Sequence, residues 1–125
     1  MPIKNYKIAA VVILYNPIEE VLPNILACTE QTELVYVFDN SEKINQELIK
    51  KIVNIERVEY HNNNGNKGVA YALNKGARLA IENQFDFLLT MDQDSHITSG
   101  LIEKMIKNCS GIDKLGIISP LHRNK

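Results

Sequence analysis

From Lys7 the chain runs KIAAVVIL to Leu14, a continuous, largely β-branched apolar stretch without a polar face. A run of this kind reads as a strand buried on both sides, which requires packing layers above and below it. Further strands are predicted at Leu34–Phe38 (LVYVF), Arg57–Tyr60 (RVEY), Phe85–Met91 (FDFLLTM) and Leu115–Ser119 (LGIIS). Between them apolar residues fall at helical spacing. One set is Ile18, Val21, Leu22, Ile25 and Leu26; a second, from Ile44 to Val53, is Ile44, Leu48, Ile52 and Val53. A third, from Val69 to Asn83, is Val69, Leu73, Ala77, Ala80 and Ile81, and Leu101–Lys107 (LIEKMIK) is the fourth. Asn16 and Pro17 suit the cap and first position of the first helix, and Pro23 predicts a short first turn before its main body. Ala70, Ala72, Gly76 and Ala77 would let the third helix lie close to a sheet. Strict alternation of strand and helix predicts a three-layer α/β/α fold. Its sheet is mainly parallel, its crossovers are right-handed, and it stops after about the fifth strand.

The 125 residues are enough for one domain with a modest core. Fourteen basic against fifteen acidic residues leave a net charge of −1, which argues against nucleic acid or a polybasic membrane surface as the main partner. No apolar stretch approaches the roughly 20 residues needed to span a bilayer. Nor does MPIKNYK read as the start of a signal peptide. Cys28 and Cys109 lie far apart inside amphipathic patterns, as buried free thiols of a reducing compartment do. These features predict a cytoplasmic protein, with a peripheral place at the inner membrane face open to the full-length form.

The first four predicted strands end in polar residues: Tyr15-Asn16, Asp39-Asn40-Ser41, Asn62 to Gly68, and Asp92 to Ser95. In open α/β sheets ligands bind outside the carboxyl ends of the strands, so four polar edges are expected to converge on one crevice. The sharpest is the DQD of LLTMDQDS. In extended chain, Asp92 and Asp94 would point to one side, roughly 6–7 Å apart along the backbone. A divalent cation with oxygen ligands, Mg²⁺ or Mn²⁺, would relieve the repulsion between them. The alternative is a solvated turn or a helix cap. Asp39 can cap the segment after its strand, or accept hydrogen bonds from a nucleobase or ribose.

In NKGVAYALNKG, Gly68 sits at a loop-to-helix junction where free N–H groups would suit phosphate. Asn66 and Asn74 offer amides, and Lys67 reads equally well as a solvated lysine. Neither G-x-x-x-x-G-K-[ST] nor G-x-G-x-x-G occurs. His61, His96 and His122 show no metal-ligand spacing, and His96 alone lies near the proposed cation.

VVILYNP, VFDNSE, NKGVAYALNKG and FLLTMDQDS, in this order and spacing, resemble the family 2 glycosyltransferases of the GT-A fold. The last of them is most similar to the bacterial rhamnosyltransferase branch. The resemblance covers essentially the whole chain, and it implies that residues 1–125 are the nucleotide-sugar-binding half of such a domain. It implies that Tyr15 and Asn16 border the base and ribose of the donor and that Asp39 reads the base. Asn66, Gly68 and Asn74 would line base and diphosphate; Asp92 would lean toward the ribose and Asp94 toward the metal. The implied reaction is inverting transfer of a sugar, rhamnose from dTDP-rhamnose first and UDP-sugars second, to a glycan or lipid-linked acceptor.

The family's catalytic base, an Asp or Glu, lies well after the DxD with the acceptor-binding half. The sequence ends at Lys125, so the resemblance supplies no catalytic residue here and predicts a chain that binds donor but transfers poorly. An uncovered sheet edge near the C-terminus predicts a homo-oligomer. Two other readings compete. A nucleotidyltransferase would carry a Gly-rich loop after the first strand, where this chain has YNP. A non-catalytic nucleotide-binding or interaction domain would keep the fold without the chemistry.

Overall fold

The computed structural model describes residues 6–107 and 116–118. Its elements are β1 (Ile8–Leu14), α1 (Val21–Gln31), β2 (Leu34–Asp39), α2 (Gln46–Val53), β3 (Val58–Asn62), α3 (Val69–Glu82), β4 (Phe87–Asp92), α4 (Leu101–Lys107) and β5 (Gly116–Ile118). All strands pair in parallel, in the order β3-β2-β1-β4-β5. The α/β architecture and the parallel sheet are those the sequence predicts. Cys109, His122 and the rest of the chain's last residues lie outside the described part.

Alternating strand residues supply two cores. Ala10, Val12, Leu14, Val35, Val37, Phe87, Leu89 and Met91 face α1, α2 and α4 on one side. On the other, Ala9, Val11, Tyr36, Phe38 and Leu88 face α3. The chain steps from β1 through β2 to β3 with α1 and α2 on the first face. It then jumps back across the sheet to β4 with α3 on the second.

The step from β4 to β5 continues in this later direction, yet Ile102 and Ile106 of α4 join the core of α1 and α2. Hydrogen bonds to α1 explain it. Asn24 Nδ2 donates to the carbonyl of Gln93 (2.8 Å), and the Gln31 amide donates to Thr98 O (2.7 Å) and accepts from Ile102 N (3.1 Å). They draw the chain after β4 across to the face of α1.

Several faces differ from the periodicity. On α1 the buried residues are Val21, Asn24, Ile25, Cys28 and Thr29, while Ile18 lies in a turn before the helix and Leu26 is exposed. Asn16 is no helix cap: its φ is +45°, and its N–H donates to Ser41 Oγ (2.8 Å). Pro23 sits in the first turn, where no intrahelical N–H is required. α2 starts at Gln46 because Asn45 caps it, its side chain accepting from Leu48 N (3.2 Å); this leaves Ile44 outside, and Val53 is exposed.

α3 buries Ala72, Gly76 and Ala80, not the larger Val69 and Ile81, which are exposed. A Cβ at Gly76 would stand 3.1 Å from Val11 Cγ2 and 3.4 Å from Phe38 Cε2. The helix lies so close to the sheet that only its smallest residues fit beneath it.

Candidate functional site

The carboxyl ends of the strands enclose a cavity of about 620 Å³, a size suited to a small-molecule ligand. Ile13 of β1 and Tyr15 just past it line it, with Asn40 just past β2; Asn66 and Val69 reach it from the entry to α3. Asp92, Gln93, Asp94, Ser95 and His96 line it from β4 and the turn beyond. The four polar strand ends do converge. The cavity lies where the chain leaves β1 toward β2 on one side and β4 approaches from the other, the topological switch point of the sheet.

At the β4 wall the chain is not extended throughout. Asp92 closes the strand, paired across from Ile13 on β1, and the next residues turn, with Ser95 N donating to Asp92 O (3.1 Å). Asp92 and Asp94 are both exposed and both line the cavity. Gln93, between the two acids, is fastened to the neighbouring chain. Its Oε1 accepts from Tyr15 N (2.9 Å) and its Nε2 donates to Tyr15 O (3.1 Å), so the side chain bridges β1 much as a neighbouring strand would. A second, smaller cleft of about 150 Å³ lies against Ile18, Glu20, Val21 and Asn24, sharing Gln93, Asp94 and His96 with the main cavity.

The β2 wall is built differently. Asp39, Asn40 and Ser41 are all buried. Asp39 accepts from Tyr60 Oη (2.6 Å) and from Ser41 N (2.9 Å), so its carboxylate is held inside the protein and is not among the cavity-lining residues. Burial, and then the hydrogen bond to Asp39, pushes the Tyr60 hydroxyl well above its ordinary pKa and keeps it a donor. Asn40 ties the ends together: its N–H donates to Leu14 O (2.8 Å) and its Nδ2 to Gly68 O (3.3 Å), while its Oδ1 accepts from Asn63 Nδ2 (2.8 Å).

Gly68 caps α3 at φ +88° with open space around its Cα, and no capping side chain covers the first-turn amides. That leaves a helix N-terminus at the rim, a setting that favours an anion. The Gly68 N–H itself is taken, donating to Asn66 Oδ1 (3.0 Å). Asn74 is exposed on α3 and, like Asn16, does not line the cavity. His61 Nε2 donates to Glu59 Oε2 (2.7 Å) and its ring stacks on Phe38, away from the cavity. Cys28 is buried, which pushes its thiol up to about 11 and leaves it unreactive at neutral pH.

Among the described residues no three His, Cys, Asp or Glu gather into a cation cage. Two hard carboxylates at a cavity wall still suit Mg²⁺ or Mn²⁺, which ordinarily take one or two protein carboxylates and complete their shell with phosphate oxygens and water. The residues fit such an ion only together with a phosphate-bearing ligand.

Sequence reasoning missed three contributors besides Gln93. Asn24 could have been found as a polar residue on the stripe Val21-Ile25-Cys28 of α1. Tyr60 gave no signal, because its partner lies on β2, more than twenty residues away, and Asn63 stands inside the polar stretch Asn62 to Gly68 without a sign of its bond to Asn40.

The model of the family described as "Glycosyl transferase family 2" matches residues 9–122. A dTDP-rhamnosyl transferase, RfbF, of Shigella flexneri is 34% identical over 102 residues, covering 81% of this chain and 34% of that protein. A poly-beta-1,6-N-acetyl-D-glucosamine synthase of Staphylococcus aureus (strain MSSA476) is 32% identical over 113 residues, covering 88% of this chain and 27% of that protein. The chain thus spans about a third or less of the length of these curated relatives. No helix among the described residues is long and apolar enough to cross a membrane.

Proposed function

Because the chain belongs to glycosyl transferase family 2, we propose that it is the donor-binding portion of an inverting, metal-assisted glycosyltransferase. The cavity takes a nucleoside diphosphate-sugar, dTDP-rhamnose first and a UDP-sugar second, and the parent protein passes the sugar to a glycan or lipid-linked acceptor. The observation that carries this reading is the convergence of Tyr15, Asn66, Asp92 and Asp94 on one cavity at the sheet's switch point. Likeness to a rhamnosyl transferase and to an N-acetylglucosamine polymer synthase at nearly the same identity supports sugar transfer and leaves two donor sugars to compare.

In this reading Tyr15 offers its ring to the base or ribose, with Asn40 and Asn66 as amide partners. The uncovered N-terminus of α3 faces the diphosphate. Asp92 leans toward the ribose, and Asp94, with Asp92 beside it, would hold Mg²⁺ or Mn²⁺. A cation bound there would neutralise charge on the departing nucleoside diphosphate. Asp39 acts on the base side by fixing the end of β2 through Tyr60 and Ser41. The acceptor-activating base belongs to the acceptor-binding half of the domain, and the residues lining this cavity serve the donor. The site works in the cytoplasm, the parent protein sitting at the inner membrane face.

Titration calorimetry with dTDP and with UDP, each with and without Mn²⁺, tests the reading. Metal-dependent binding that disappears in Asp94→Ala is expected. An absence of binding to either nucleotide would favour an interaction domain, and robust transfer by this chain alone would refute the division of labour.

A further inference from the structure

We infer that Gln93 is a positioning residue: its side-chain amide locks the carboxylate turn at the end of β4 to the backbone of Tyr15. Both walls of the cavity are thereby held in one register. The inference rests on the donor-binding reading above.

The bonds are reciprocal. One amide group accepts from the Tyr15 N–H at 2.9 Å and donates to the Tyr15 carbonyl at 3.1 Å, across 78 residues of sequence. The carbonyl of the same residue accepts from Asn24 Nδ2, at 2.8 Å, from a side chain buried in α1. Gln93 is therefore held at three points, from β1 and from α1, while its neighbours Asp92 and Asp94 stay exposed to the cavity.

The geometry selects the residue type. Tyr15 presents a donor and an acceptor together, and only a primary amide answers both with one planar group. Glutamate would set a carboxylate oxygen against the Tyr15 carbonyl, and asparagine is one methylene too short. Glutamine also adds no charge between two acids, so the turn is fixed without deepening their repulsion. Partners that orient ligating carboxylates in this way typically control metal affinity or activity by 10–100-fold.

Gln93→Met preserves length and bulk and removes both bonds to Tyr15. Three measurements on the intact chain, compared with wild type, test the inference. The first is exchange protection of the Tyr15 amide; the second is dTDP and UDP affinity with and without Mn²⁺; the third is thermal stability. Expected are lost protection at Tyr15, a roughly tenfold or greater weakening of Mn²⁺-dependent binding, little change in metal-free binding, and a melting temperature close to wild type. Gln93→Asn should match Gln93→Met. Unchanged Mn²⁺-dependent affinity in Gln93→Met would overturn the inference. So would a parallel fall in both affinities with a lowered melting temperature, which would mark a merely structural role. A wild-type chain that binds neither nucleotide would instead sink the donor-binding reading, and this inference with it. Asp94→Ala, which should lose metal-dependent binding yet keep Tyr15 protected, separates the clamp from the cation ligand.

Discussion

Two strand ends of this sheet carry nearly the same chemistry and do opposite things. β2 ends in Asp39-Asn40-Ser41 and β4 in Asp92-Gln93-Asp94. Asp39 is fully buried, with Tyr60 and Ser41 bound to its carboxylate; Asp92 and Asp94 face the cavity. The neighbours make the difference. Asp39 lies in register between Leu14 of β1 and Asn62 of β3, so strands cover it on both sides. Asp92 is matched by Ile13 of β1 and is exposed. A carboxylate after a buried strand thus becomes a latch where strands on both sides reach its level, as Leu14 and Asn62 do beside Asp39.

The largest expected effect comes from breaking the latch. Asp39→Ala leaves the Tyr60 hydroxyl and the Ser41 N–H without their acceptor and should cost about 3 kcal/mol of stability in urea unfolding. The same substitution at Asp92 or Asp94 should stay within about 0.5 kcal/mol, as exposed positions do, while ending metal-dependent nucleotide binding. Equal losses of stability at the two ends would erase the distinction.

Tyr60→Phe is the milder test of the same latch, removing one donor from Asp39 at an expected cost of about 1–2 kcal/mol. It also carries a pH signature. Tyr60 and Cys28 hold their protons more tightly in the folded state than at their ordinary values of 10.0 and 9.0. A group with a raised folded pKa stabilises fully below its unfolded pKa, and that stability is lost as pH rises through the folded one. Wild type should therefore lose stability from about pH 9 upward. In Tyr60→Phe the part of this loss above pH 10 should shrink, as unfolding midpoints across an alkaline series would show; an identical alkaline decline would exclude Tyr60 as its source.

The smallest effect concerns the sheet edges. β5 exposes Ile117, whereas β3 carries Glu59 and His61. We expect weak self-association at high concentration through the β5 edge, abolished by Ile117→Lys. Light scattering that shows the same monomer for both chains would remove this asymmetry.

Much of this was legible in the residues. The alternation of Ile8–Leu14, Leu34–Asp39 and Phe87–Asp92 with helical segments gives the parallel sheet, since a run without a polar face needs cover on both sides. Tyr15, Asn66, Asp92 and Asp94 stand out in the sequence and share one cavity, whereas Asn16, Asp39 and Asn74 do not line it. Helix faces were less legible. The stripes were read from large residues, but α3 lies so close to the sheet that Gly76 is buried and Ile81 is not. The path of the chain after β4 was hidden too, because bonds from Asn24 and Gln31 decide it and periodicity says nothing of them.

By itself, then, the sequence determined the layers, the parallel sheet and the set of polar strand ends facing one way. Those follow from local pattern: a side chain's hydrophobicity and its spacing to the next act over a few residues. Only the tertiary structure decided that Asp39 is a latch, that Asp92 and Asp94 stay open, and that Gln93 is a clamp. Burial and hydrogen bonding at a strand end depend on which strands lie alongside and how far they run, and those neighbours are 21 to 78 residues away along the chain.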